Sequence, residues 1–181
     1  GGSRGIGAAT VRQLVAHGGS VVVHFGSNLT AAQALADEFG GSSIHLCQAD
    51  LTSESETEHL WDNALAWRGH IDILINNAGI THRSAFADTD LSVFQRIMAV
   101  NYFGAVNCTR HALPSLLERR GQVIVLSSLS SFAPLLNRSA YNASKHALHG
   151  LFETLRMEVR EQGVNVMLVC PGFTATDIRK N

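Results

Sequence analysis

Two short runs, "IDILIN" (71–76) and "QVIVLS" (122–127), are apolar at successive positions, not at alternate ones. A strand with that pattern has no face to give to water, so it belongs in a sheet covered by helices on both sides, as parallel sheets are. The segments around these runs supply the helices. Residues 7–17 form a helix with Ala8, Val11, Leu14 and Val15 on one face, stopped by Gly18 and Gly19. A strand (20–25), a helix (30–39) and a strand (43–48) follow. The next helix (52–67) carries Ser53 and Glu56 at capping-box spacing. A long helical stretch, 90–119, is expected to be interrupted near its end by Pro114. A helix (139–161) and a buried strand (164–170) complete the pattern. This alternation predicts one α/β domain, a doubly wound parallel sheet with right-handed crossovers, whose ligand lies at the carboxyl ends of the strands.

Composition narrows the partners. The chain has 181 residues, enough for one domain with a substantial core. Its 14 basic and 15 acidic residues leave no charge excess for a nucleic-acid or anionic-membrane surface. No run of eighteen apolar residues is present to span a bilayer. Cys47, Cys108 and Cys170 are far apart and odd in number, which suggests a reduced, cytoplasmic setting over a disulfide framework. The nine histidines have no ligand-like spacing, so no metal site is expected. His146 and His149, three apart, are expected to be satisfied or solvent-facing.

Three stretches carry chemistry. "GGSRGIG" (1–7) places Gly1, Gly5 and Gly7 where backbone N–H groups at a helix start can meet a phosphate. Such a loop ordinarily follows a strand, so the first strand is expected to be missing from this chain. "YNASK" (141–145) sets the Tyr141 phenol and the Lys145 ammonium four residues apart, on one helix face. Ser128 lies thirteen residues before Tyr141, at the end of "VIVLSS".

Together these motifs resemble the short-chain dehydrogenase/reductase family, and the resemblance covers essentially the whole chain. It implies a Rossmann-like fold and a single NAD(P)-binding catalytic domain over 1–181. The first strand and the C-terminal strand and lid would lie outside the chain. It also implies an oxidoreductase interconverting a secondary alcohol and a ketone, with small-molecule carbonyl or alcohol substrates. Ser128, Tyr141 and Lys145 match the family's catalytic set, and Asn101 in "AVNYFG" matches its fourth member. An unperturbed phenol is a poor base at neutral pH. Lys145 and an oxidised nicotinamide would both favour the phenolate. Ser128 would hydrogen-bond the substrate oxygen, Lys145 would also hold the nicotinamide ribose, and Asn101 would hold a proton-relaying water.

For the cofactor, the resemblance points to the loop residues Gly1, Ser3, Arg4, Gly5, Ile6 and Gly7. Asp50 would meet the adenine beside the Leu51 N–H, although Asp50 or Thr52 also suits a helix cap. Asn77 would tie strands together, and Ala78 and Gly79 would admit the adenosine ribose. Tyr141 and Lys145 would border the nicotinamide. Pro171, Gly172, Phe173 and Thr176, with Thr174 as the alternative threonine, would grip its carboxamide. Where NAD-preferring relatives hold a carboxylate, this chain has Phe25, then Gly26, Ser27 and Asn28. With Arg4 available to pair with a 2′-phosphate and Ser27 and Asn28 to add hydrogen bonds, NADP(H) is preferred and NAD(H) remains possible; the alternative is Arg4 as a solvated loop charge.

Phe94, Met98, Phe103 and the apolar face of 148–159 imply a homodimer or homotetramer through the two long helices, against simple intrachain packing. His82, Arg83, Leu135, Leu136 and Asn137 are the candidate substrate-facing residues. The rival reading is a nucleotide-binding regulatory or scaffold protein without turnover; such a protein is expected to lose Tyr141, Lys145 or Ser128, and all three are present.

Overall fold

The computed structural model describes residues 1–40, 42–175 and 178. Its elements run α1 (Gly5–Ala16), β1 (Val21–Phe25), α2 (Leu29–Asp37), β2 (Ile44–Gln48), α3 (Glu54–Arg68), β3 (Ile73–Asn76), α4 (Leu91–Met98), α5 (Gly104–Arg119), β4 (Gln122–Leu126), α6 (Ser139–Val159) and β5 (Asn165–Val169). Short 3₁₀ turns occur at Phe86–Asp88 and Leu129–Ser131, and a π-helical turn, Ala99–Phe103, joins α4 to α5.

All strand pairs are parallel. β1 pairs with β2, with Val21 opposite Ile44, and β3, β4 and β5 pair in that order, with Ile73 opposite Gln122 and Gln122 opposite Asn165. The doubly wound α/β layering expected from the alternation is therefore present, with helices packed against parallel strands. The larger core sits around β3 to β5, where Leu74, Val123, Val125, Leu116, Leu148 and Phe152 meet. A smaller one joins Ala8 and Val11 of α1 to Val23 and Leu35.

The two sheets are not hydrogen-bonded to each other among the described residues. An apolar slot of about 580 Å³ lies between them, bordered by Val22, Ile73, Ile75, Leu14 and Trp61. This changes one expectation. Residues 71–76 are apolar on both faces, yet Ile73 is 44% exposed, because it borders the slot. The facing edges of β1 and β3 carry the backbone groups that a parallel strand between them would use.

Helix ends follow local chemistry. α1 closes with the Gly18 N–H on Val15 O and the Gly19 N–H on Leu14 O, with Gly18 at φ +84°. At α3, Ser53 Oγ accepts from the Glu56 N–H, but Glu56 Oε2 receives the Asp50 N–H at 2.7 Å. The capping box is thus half-formed, because the Ser53 N–H is already taken by Asp50 O.

A second expectation needs correction. The helical stretch 90–119 breaks not at Pro114, which lies inside α5, but at the Ala99–Phe103 turn. Proline removes a single N–H and is tolerated there, whereas the π turn inserts a residue and aims Asn101 inward, where it is 1% exposed. Phe152, fully buried between α6 and the sheet, anchors the larger core. Phe152→Ala is expected to cost about 3–5 kcal/mol, read as a fall in the urea midpoint.

Candidate active site

The carboxyl ends of β1, β2 and β3 open onto one groove of about 780 Å³. Gly1, Ser3, Arg4, Gly5 and Ile6 line its floor; Ser27 and Asn28 follow β1, Asp50 and Leu51 follow β2, and Asn77, Ala78 and Gly79 follow β3. Gly7 lies just beneath, where close packing explains its type. A Cβ there would come 2.1 Å from Gly1 O and 2.7 Å from Asn77 Nδ2. Asn77 Nδ2 itself donates to Gly1 O at 2.5 Å, tying the end of β3 to the glycine loop.

The N-terminus of α1 has no side-chain cap, since Arg4 holds the cap position with extended backbone. α2 and α3 are capped by Asn28 and Ser53. The first N–H groups of α1 are therefore left to a ligand, and the helix dipole favours an anion there. A dinucleotide pyrophosphate fits this cradle. Arg4 is exposed in the groove and forms no ion pair among the described residues. Asn28 Oδ1 is committed to the Ala31 N–H at 2.9 Å, so only its amide N–H₂ is left to offer a ligand.

The expectation that Asp50 or Thr52 caps the next helix needs correction, because Ser53 caps α3 and Asp50 folds back on Thr52. Its Oδ1 accepts from the Thr52 N–H at 2.9 Å and from Thr52 Oγ1 at 2.8 Å, and these bonds hold the carboxyl below the usual carboxylate range. His24 was not singled out among the histidines. It lines the groove, and its Nε2–H donates to Ala49 O at 2.9 Å, fixing the turn that presents Asp50. Burial holds its imidazole down to about 4, so it stays neutral.

The catalytic candidates gather beside Gly79. The π turn carries Asn101, whose Oδ1 accepts from the Ile80 N–H at 2.8 Å. Its Nδ2 donates to Ile80 O at 3.0 Å and to Ser144 Oγ at 2.9 Å. Ser144 passes its own proton to Tyr141 O at 2.8 Å, so Asn101 is locked to both the Gly79 loop and α6. Ser144 escaped the sequence reading although it lies within "YNASK", because nothing in the motif distinguishes a buried hydroxyl from an exposed one.

Lys145 Nζ donates to Leu126 O at the end of β4 at 2.7 Å and lies 5.7 Å from the Tyr141 ring centroid. A Cβ on Gly79 would come 3.3 Å from Asn101 Oδ1, a tight approach, with Lys145 Nζ at an ordinary 3.8 Å. Ser128 opens the Leu129–Ser131 turn; its Oγ accepts from the Ser130 N–H at 3.2 Å, leaving the hydroxyl proton to donate.

The Pro171–Gly172 turn is tied to the Ser128 turn by the Leu129 N–H on Pro171 O at 3.3 Å. Thr174 Oγ1 donates to Gly172 O, and Phe173 is 83% exposed. Tyr141, Lys145, Pro171, Gly172, Phe173 and Thr174 do not line the groove itself. Thr176 lies outside the described residues. Of the substrate-facing candidates, Asn137 O accepts from the Ser84 N–H at 3.1 Å, joining the loop of His82 and Arg83 to that of Leu135 and Leu136. Arg138 strengthens this tie by donating to Thr81 Oγ1.

Comparison with known proteins decides the lineage. Residues 1–181 match the short chain dehydrogenase family. The chain belongs to that family. Members are oxidoreductases acting on CH–OH or carbonyl groups with NAD(P). This short-chain dehydrogenase is similar to the dehydrogenase/reductase SDR family member 7B of Mus musculus, at 35% identity over the whole chain and 58% of that protein. It is also similar to the 11-beta-hydroxysteroid dehydrogenase A of Arachis hypogaea, at 36% identity over 83% of the chain and 44% of that protein. Among solved structures, a dehydrogenase/reductase from Sinorhizobium meliloti 1021 superposes with a TM-score of 0.93 at 34% identity, over 98% of this chain and 71% of the other. The chain thus spans little more than half the length of the curated relatives it matches.

The chain has two lysines, Lys145 and Lys180, and the first is 4% exposed. Burial lowers the Lys145 ammonium from 10.5 to about 8. Below pH 8 both folded and unfolded chains carry this proton, and the cost of burying the charge is fully present. Between 8 and 10.5 the unfolded chain binds a proton that the folded chain has released, so stability rises with pH in that window. Urea midpoints of wild type and Lys145→Met across this range are expected to differ by such a rise, absent in the variant.

Proposed function

We propose that the protein is an NADP(H)-dependent oxidoreductase interconverting a secondary alcohol and a ketone. The observation that carries this reading is the buried Lys145 ammonium, one helical turn from Tyr141 and beside Gly79 of the groove. A cation between the proposed cofactor-binding edge and the helix of Tyr141 supports this reading. The nicotinamide, when bound, supplies or accepts the hydride. Tyr141 gives its phenolic proton to the substrate oxygen during reduction and removes it during oxidation. Lys145 stabilises the phenolate that results. Ser128, its Oγ already accepting from Ser130, donates to the same substrate oxygen as charge grows there. Asn101 holds the Gly79–Ile80 backbone in register with α6 and orders the proton path to Lys145.

The cofactor is held by Gly1, Ser3, Arg4, Gly5, Ile6 and Gly7 at its pyrophosphate, by Asp50 and Leu51 at the adenine, and by Asn77, Ala78 and Gly79 at the ribose. Pro171, Gly172, Phe173, Thr174 and Thr176 serve the carboxamide. NADP(H) is favoured over NAD(H) because Arg4, which forms no ion pair among the described residues, and Ser27 line the groove at the end of β1, where Phe25 stands in place of a carboxylate.

Residues 1–181 form one NAD(P)-binding catalytic domain, its sheet completed by a strand seated in the slot between β1 and β3. Phe103 and Met157, 54% and 72% exposed, suit a homodimer or homotetramer through α5 and α6. Three unpaired cysteines suit a reducing, cytoplasmic compartment. No helix among the described residues is long and apolar enough to cross a membrane.

Loss of NADPH absorbance with a panel of ketones, at matched NADPH and NADH, tests the reading. Tyr141→Phe is expected to bind NADPH normally but to turn over on the order of 10²–10⁴ times more slowly; equal rates would remove Tyr141 from its role. Arg4→Ala is expected to reduce the preference for NADPH over NADH about tenfold. An unchanged ratio assigns Arg4 to solvent.

A further inference from the structure

On α6, Tyr141, Lys145 and His149 recur every fourth residue along one face. The first two are assigned above, and the third is not idle. His149 Nε2 lies 2.9 Å from Ser131 Oγ and 3.6 Å from Cys170 Sγ. Its ring meets the edge of Phe132 at 4.7 Å, close to perpendicular. Ser131 and Phe132 belong to the turn that Ser128 opens, and Cys170 immediately precedes Pro171.

Proton accounting fixes the direction of these bonds. Ser131 Oγ has one proton, and it goes to Ser128 O at 2.5 Å. Ser131 Oγ is therefore an acceptor toward both Ser127 Oγ, at 3.3 Å, and His149 Nε2. His149 must carry its proton on Nε2, where it also faces the Cys170 sulfur. Ser128 O receives a second bond from the Ser131 N–H at 3.1 Å. The carbonyl of the serine whose hydroxyl meets the substrate is thus gripped from one side by a chain that ends on the catalytic helix. Lys145 grips the preceding strand end at Leu126 O.

We propose that His149 is a positioning residue for the reaction: through Ser131 it sets the Ser128 turn, and with it the Ser128 hydroxyl, in register with Tyr141 and Lys145. Its contact with Cys170 extends the same clamp to the turn proposed to meet the nicotinamide, so the substrate-oxygen donor and the cofactor grip are referenced to one helix. Burial keeps the imidazole below its ordinary pKa, and Nε2–H is a donor in either protonation state.

This inference rests on the oxidoreductase reading, and its test separates the two. In the intact protein, His149→Leu keeps the bulk against Phe132 and removes the donor, whereas His149→Gln restores an N–H at about the Nε2 position. His149→Leu is expected to lower kcat about tenfold while the NADPH Kd, from its fluorescence enhancement, stays within about twofold. His149→Gln is expected to recover most of the loss. Ser131→Ala, which leaves the histidine in place, is expected to show the same fall in kcat, and the double variant no further fall.

A His149→Leu protein with wild-type kcat, or a His149→Gln protein as slow as the leucine variant, overturns the proposal. Should His149→Leu fail to fold, Ser131→Ala decides in the same way. Should the wild type reduce no ketone, the oxidoreductase reading fails, and the clamp is read without turnover by nitrogen-15 NMR of the histidines. The Nε2–H tautomer at His149, with its signals shifted in Ser131→Ala, supports the clamp, and the Nδ1–H tautomer overturns it.

Discussion

The structure turns on a buried ammonium group. Lys145 is buried at the join between α6 and the carboxyl end of β4, and its Nζ is held by Leu126 O at 2.7 Å. Burying a charge is costly unless polar groups meet it, and the cost appears as the lowered proton affinity. A fold carries such a group when its charge is used. Its neighbours follow from the need to bring a polar helix face against strand ends: Ser144 is bonded to Asn101, and Gly79 lies so near that a Cβ would crowd Asn101 Oδ1 at 3.3 Å.

That need also explains the break between α4 and α5. A regular helix through 99–103 would not advance the residue count by the one extra position that the π turn supplies. The amide at 101 instead bonds both polar groups of Ile80 and the Ser144 hydroxyl, joining the Gly79 loop to α6. At the other end of the groove the logic is that of unsatisfied backbone. α1 starts without a side-chain cap where α2 and α3, whose N-termini also border the groove, have one, and the glycine loop packs against Asn77 so tightly that Gly7 admits no Cβ.

The two polar systems are linked through α6. One turn below Lys145, His149 reaches the Ser128 turn through Ser131 and the Pro171 turn through Cys170. Those two turns are also zipped directly, by Ser127 N–H on Val169 O at 2.8 Å and Leu129 N–H on Pro171 O. A single helix thereby references both the residue proposed to meet substrate oxygen and the backbone proposed to meet the cofactor.

The sequence by itself determined the layering and the chemistry. Apolar periodicity marked the strands and helices, because burial pattern is a local property of residue order, and "GGSRGIG" and "YNASK" marked the candidate functional edge because their residue types suit close backbone approach and proton transfer. Only the tertiary structure decided the rest. Pro114 sits inside α5 while the helix breaks at Asn101, since the energy that decides comes from bonds to Ile80 and Ser144, far away in sequence. Glu56 leaves its cap partner for the Asp50 N–H because another carbonyl had already taken the Ser53 N–H. His149, three residues from His146 and indistinguishable from it in a list of histidines, has a role that depends on one proton being committed elsewhere, to Ser128 O. Hydrogen-bond partners are chosen by competition in space, and residue order records the candidates without recording the winner.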